Sequence, residues 1–281
     1  MSKSISVIIP ACNEYPQIAF TLDSIAQDLQ GTDYEILVVF NNNTDEAPAY
    51  IEGRGKNIRQ LTSDSHSCWQ ARTLGAQEAQ GDVLVFTDAH ILLEPNSIPA
   101  CVETLERVDG CGVVWMAMRY LMDTGHTLYG YELKPDKFWG NWTRHRRAPD
   151  PYPLTMSGAA GFAIERKVFE SVGGYHKGFG IYGGGEPYLA FKMERLGYRN
   201  HISPKSVFAH FNAKRNYSWN NDDLWRNFLI AAFATGGEKW LGKLAGHYRR
   251  ICNGVERYET KLEEIVEDAK AAAMEDHLWI E

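Results

Sequence analysis

The chain has 281 residues, 44% of them hydrophobic and 23% charged, which describes a globular protein with a sizeable core rather than a disordered or fibrous chain. No run of about 18 or more apolar residues occurs, so no membrane-spanning helix is expected, and "MSKS" leads straight into a strand-like run with no sign of a signal peptide. The net charge of −7 is uneven: residues 255–281 carry nine acidic side chains against three basic ones, whereas residues 134–150 are locally basic.

Taken in order, "ISVIIP" (5–10) predicts a buried strand ending in Pro10. Ile18, Leu22, Ile25 and Leu29 recur at helical spacing, with Gly31 just past the end. "YEILVVF" (34–40) predicts a second strand, "NNNTDE" a turn, and "NIRQL" a short third strand. Ala71, Leu74, Gly75 and Ala79 form the narrow face of a helix closed by Gly81. "DVLVFTDAH" predicts the next strand. If it stays extended through Ala89, Asp88 and His90 stand at i and i+2 and offer a carboxylate and an imidazole to one spot. Such a pair is either half the shell of a divalent metal or a solvated strand end capping a turn. Asn96 or Ser97 caps a helix through Arg107, and "CGVVWMAMRY" predicts another strand. Strands alternating with helices imply an α/β fold with a mostly parallel sheet, whose ligands bind at the C-terminal strand ends.

Residues 121–155 have no clear period and read as one long loop. Regularity returns in "SGAAGFAIERKVFESVGGY"; "GGGEPYLAFKMERLGY" predicts a flexible glycine turn feeding a helix, and "HISPKSVFAHF" a final strand ending at His210. From about residue 220 the composition is helical. Five scattered cysteines without a C-x-x-C pair argue for reduced thiols in a cytosol rather than disulfides or a zinc site.

"IIPACNE", "VVFNNNTD" and "ARTLGAQEAQGDVLVFTDAH", in this order, resemble the nucleotide-sugar half of GT-A glycosyltransferases of the family 2 type. The block "PLTMSGAAGFAIERKVFESVGGYHKGFGIYGGGEPYLAFKMERLGYRNHISPKSVFAHF" resembles the matching part of polypeptide N-acetylgalactosaminyltransferases, and the likeness runs over about residues 4–240. It implies a Rossmann-like GT-A domain over 1–215, with a nucleotide-sugar half (1–120) and an acceptor half (121–215), followed by a helical extension over 216–281. It also implies Mn²⁺ or Mg²⁺ held by Asp88, His90 and His210, with a UDP-sugar contacted by Pro10, Asn13, Glu14, Asn41, Arg72, Asp88, Ala89, Gly158, Gly185, Lys214, Arg215 and Tyr217. Asp88 and Glu186 are the expected catalytic carboxylates. Asn41 replaces the family's usual Asp but still hydrogen-bonds a base edge. Pro187 follows Glu186 where inverting relatives carry a base; proline accepts no proton, which favours retention.

Trp139, Trp142, Arg144, Arg146, Arg147 and Trp219 are the expected acceptor contacts, since aromatics among cations hold flipped bases, sugar rings or peptides alike. A hexose or N-acetylhexosamine is therefore expected to move to a protein hydroxyl, a glycan or a hydroxymethylated DNA base of the kind made in phage DNA modification. The expected compartment is cytoplasmic, in a bacterial or phage-infected cell. A reading of another class is a non-catalytic nucleotide-sugar-binding protein, suggested by Asn41 and Pro187.

Overall fold

Residues 3–134, 137–211, 217–252 and 256–275 are described by the computed structural model. Apolar side chains on both faces make β1 (Ile5–Ala11) a central strand, buried along its whole length. It lies between β2 (Tyr34–Asn41) and β4 (Val83–Thr87), both parallel to it, and β3 (Ile58–Ser63) flanks β2 in parallel. The connections are α1 (Gln17–Asp28), the short α2 (Ala47–Ile51) and α3 (Cys68–Glu78). Helix α1 buries Ile18, Leu22 and Ile25, as the spacing predicts.

Beyond β4 come β5 (Ile91–Leu93), α4 (Ser97–Arg107) and β6 (Cys111–Tyr120). Asn96 is the residue at the start of α4, but its side chain makes no capping bond. The carboxylate of Asp28 caps instead, accepting the Ser97 and Ile98 N–H groups at 3.1 and 2.7 Å. The expected long loop over 121–155 contains four short strands: β7 (Asp123–Leu128), β8 (Tyr131–Lys134), β9 (Trp139–Trp142) and β10 (Tyr152–Pro153). β7 pairs with β6, and β8 with β9 in a hairpin that sets Tyr131 opposite Trp142. Strands this short hold too few residues for a legible alternation, and their partners supply the pairing.

The chain continues through β11 (Gly161–Glu165), α5 (Arg166–Ser171), α6 (Gly185–Arg195) and β12 (Arg199–His210). β11 inserts antiparallel between β4 and β6, and β12 runs parallel to β6. The sheet order is β10-β12-β6-β11-β4-β1-β2-β3, a mixed sheet whose longest ladders are parallel. Two cores cover its faces. One joins Ile5, Val7 and Ile9 to α1 and α4; the other joins Ile8, Phe86 and Trp115 to α6 and the two C-terminal helices. These are α7 (Asn221–Cys252), broken at Gly237, and α8 (Glu256–Met274). Leu229, Ile230, Phe233 and Leu262 place them within that second core. Among the described residues no helix is long and apolar enough to cross a membrane.

Candidate active site

The expected extended run through His90 is not formed: β4 stops at Thr87, the chain bends at residues 89–90, and β5 starts at Ile91. Sheet register brings His210 to Asp88 and His90. β5 pairs antiparallel with β12, setting Ile91 opposite His210, and Phe211 N–H donates to the His90 carbonyl at 3.0 Å. Asp88 N–H donates to the Ala160 carbonyl at 3.2 Å, next to the start of β11. In this register Asp88 Oδ2 lies 4.0 Å from His90 Nε2 and 3.6 Å from His210 Nε2, with the imidazoles edge to face at 4.8 Å.

One carboxylate oxygen and two imidazole nitrogens within 4.8 Å of one another form a donor set suited to a divalent transition metal. Glu14 completes it from behind. Its buried carboxylate lies 2.9 Å from His90 Nδ1, so that nitrogen is the one to carry the proton and Nε2 is left facing Asp88. The other Asp88 oxygen, Oδ1, accepts from Arg72 Nη2 at 2.7 Å. Arg72 is delivered by α3 and only 2% exposed, and its Nε and Nη1 have no protein partner among the described residues. Buried donors without a partner are costly unless a ligand satisfies them. Burial acts to raise the Asp88 carboxyl, but the hydrogen bond with His210 and the charges of Arg72 and His90 hold it well below the usual range.

Glu186, the second residue of α6, faces the same space. Burial pushes its carboxyl up to about 7, against the helix-end N–H and Arg72, with Asp88 adding to the rise. The cavity holding these groups has a volume of about 850 Å³. Pro10, Asn13, Glu14, Asn41, Arg72 and Asp88 line it from the strand ends after β1, β2 and β4, with α3. Ala89, His90, Gly158, Glu186, His210 and Tyr217 are also among the lining residues.

Several expected contacts turn out to be engaged with the protein itself. Asn13, at φ +59°, accepts the Thr44 and Asp45 N–H groups at 2.7 and 3.1 Å and so ties the end of β1 to the turn after β2. Asn41 Nδ2 donates to the His66 carbonyl at 2.9 Å. Gly185 sits against the Trp69 ring rather than on the cavity wall. Trp139 and Trp142 do line the cavity, flanking Tyr131 at 4.6 and 4.1 Å. Trp219 is outside the lining and packs at 5.3 Å against Tyr182, which lines it. Arg144, Arg146 and Arg147 are exposed and outside the lining; Arg146 is turned back on the Ala148 and Pro149 carbonyls and Arg147 toward the Tyr152 ring. Lys214 and Arg215 lie outside the described residues. The sequence reading missed His66, Cys68, Trp69 and Tyr131 as lining residues. Ser67, whose Oγ accepts the Gln70 N–H at 3.4 Å, is a cap signal that marks the start of α3 and hence the first three; nothing in the sequence marks Tyr131.

The fold is of the GT-A type, with an acid-and-histidine trio and a buried arginine at the strand ends that border the cavity. The chain belongs to glycosyl transferase family 2, whose model matches residues 6–173. It is 26% identical over 265 residues to mouse (Mus musculus) polypeptide N-acetylgalactosaminyltransferase 4, covering 86% of this chain and 44% of that protein. To polypeptide N-acetylgalactosaminyltransferase 5 of Caenorhabditis elegans it is 30% identical over 203 residues, covering 66% and 31%. The chain thus spans less than half the length of these curated relatives. Among solved structures, GalNAc-T7 with UDP, GalNAc and Mn²⁺ superposes with a TM-score of 0.72 at 20% identity, covering 95% of this chain and 55% of that one. S. aureus TarS 1–349 in complex with UDP-GlcNAc gives 0.63 at 14% identity, covering 96% and 81%. These likenesses carry the fold.

Proposed function

We propose that this chain transfers a hexose or N-acetylhexosamine from a UDP-sugar to a hydroxyl acceptor, dependent on Mn²⁺ or Mg²⁺ and with retention of anomeric configuration. The observation that carries the reading is the convergence of Asp88, His90 and His210 on one point beside Arg72 and Glu186, in a single cavity at the strand ends. A divalent cation held by Asp88, His90 and His210 would supply Lewis acidity to the departing diphosphate. Arg72 has buried donors left over for the phosphate or sugar oxygens. Glu14 orients His90, and Asn41 and Pro10 line the base end. Glu186 serves as a hydrogen-bonding partner for a sugar or acceptor hydroxyl.

Retention is favoured because the residue after Glu186 is Pro187, which has no group to take the acceptor proton. The acceptor side is formed by Tyr131, Trp139 and Trp142, rings suited to stacking on a sugar or an apolar side chain. Because Arg144, Arg146 and Arg147 do not line this cavity, a glycan or protein hydroxyl is favoured over a DNA base. Incubation with a panel of UDP-sugars and hydroxyl acceptors (glycans, peptides, hydroxymethylated DNA), read by mass spectrometry, tests the reaction. An α-linked product from an α-linked donor is expected by NMR; a β-linked product would overturn retention. Metal-dependent loss of UDP-sugar must also occur, and its absence would favour a non-catalytic sugar-nucleotide binder.

A further inference from the structure

The segment 178–182, which leads into the glycine run before Glu186, is held by the C-terminal helices. Asp223 and Asn227 stand four residues apart on α7 and so share one face. Asp223 Oδ2 accepts the Ile181 and Tyr182 N–H groups at 2.7 and 3.3 Å. Asn227 Oδ1 accepts the Gly180 N–H at 2.9 Å, and its Nδ2 donates to the Tyr182 carbonyl at 3.0 Å. Between them, Arg226 donates to the Gly178 carbonyl and pairs with Asp268 of α8. Five backbone groups of one short segment are thus bound to a single helix face.

The contact is tight as well as polar. A Cβ on Gly180 would fall on the Asp223 carboxylate, and one on Gly184 would come within 2.5 Å of the Asn227 carbonyl oxygen. Gly184 also has φ +79° at the start of α6, where no side chain caps the helix. The glycines therefore permit close approach of α7; they do not make a slack turn. Two residues past Gly184 the chain delivers Glu186 to the cavity. Asp223 and Asn227 do not line that cavity, and Asn227 is fully buried.

We propose that Asp223 and Asn227 are positioning residues: their side chains fix the backbone of residues 180–182, α7 packs closely on Gly184, and together these set where the first turn of α6 aims Glu186 relative to Arg72 and Asp88. This rests on the reading of Glu186 as a group that meets sugar or acceptor. An uncapped helix end preceded by glycines has no internal means of fixing its direction, and a carboxylate displaced by an ångström loses most of its catalytic value. The C-terminal helices are then part of the catalytic apparatus rather than an appendage to it.

The test is a double-mutant cycle on the full chain, read as the Mn²⁺-dependent hydrolysis rate of the fastest member of a panel of UDP-glucose, UDP-galactose, UDP-GlcNAc and UDP-GalNAc. Asp223→Ala is expected to lower kcat at least about tenfold, with Mn²⁺ affinity unchanged because no metal-binding side chain is touched. Asp223→Asn keeps an acceptor oxygen for the same N–H groups and is expected to restore most of the rate. In a Glu186→Gln background, Asp223→Ala should change kcat by less than about twofold, since the group it positions is gone. Asp223→Glu keeps the charge but moves it by one methylene against Gly180, so it should also lower kcat; the Tm of each variant, with the isosteric Asp223→Asn as the folded control, separates loss of fold from loss of positioning. Wild-type kcat in Asp223→Ala and Asp223→Glu, or losses that multiply with Glu186→Gln, would overturn the positioning role. Wild-type kcat in Glu186→Gln would remove the reading of Glu186 itself, and the positioning role with it.

Discussion

Two walls of the cavity are built on opposite principles. The wall from β1, β2 and β4 gets its geometry from strand register: Asp88, His90 and His210 meet because β5 pairs with β12 and the backbone of residue 88 is tied to Ala160. The wall carrying Glu186 has no ladder of its own; a loop backbone is gripped by side chains of α7. The first wall is fixed by backbone pairing that no surface substitution undoes. The second depends on a few polar side chains remote from the chemistry. Substitutions on the first side should therefore strike metal binding, and those on the second should strike turnover while sparing the metal.

The largest effect expected is on the first wall. Asp88→Ala or His90→Ala should take transfer below detection, and a chelator should do the same to wild type until Mn²⁺ is restored; full activity of either variant in chelator would break the metal assignment. Next comes the second wall. Glu186→Gln should lower kcat by about a hundredfold with Mn²⁺ affinity unchanged in a titration, and a parallel loss of metal would erase the contrast between the walls. Returning to the first, Glu14→Ala should weaken Mn²⁺ by roughly 10- to 100-fold while still allowing turnover at saturating metal.

A stability measurement sharpens the same contrast. The Glu186 carboxyl titrates higher folded, at about 7, than its ordinary value of 4.5. Its contribution is complete below the unfolded value and lost as pH rises through the folded one. Wild type in chelator should therefore fall in Tm relative to Glu186→Gln between pH 4.5 and pH 7, as differential scanning calorimetry would record; a constant difference would contradict it. The smallest effect belongs to neither wall. Changing Arg144, Arg146 and Arg147 together to alanine should leave donor hydrolysis within about twofold, as exposed substitutions usually do. A large loss would bring that segment back to the cavity.

The regular elements of the parallel half were legible because their buried faces impose a period: Ile18, Leu22 and Ile25 on α1, and the unbroken apolar runs of β1, β2 and β4. Asp88, His90, His210, Arg72 and Glu186 were legible as residue types at strand and helix ends, and the structure brings them to the lining of one cavity. Their meeting was not legible in the form expected. The i, i+2 alternation proposed for Asp88 and His90 is replaced by a bend, and the third member of the trio, His210, is brought to them by β12, over a hundred residues further along the chain.

What the sequence determined by itself is local: the period of the regular elements and the chemistry available at each strand end. Those follow from interactions within a few residues, where chain connectivity already supplies the proximity. What only the tertiary structure decided is which distant groups share a hydrogen bond. The Asp28 carboxylate caps α4, Glu14 meets His90, Tyr131 packs between two tryptophans, and Asp223 and Asn227 hold the segment that leads to Glu186. Each is a pairing between segments with no periodic relation, set by how helices seat on the sheet. Side-chain identity announces that a partner is needed, and only packing selects which one.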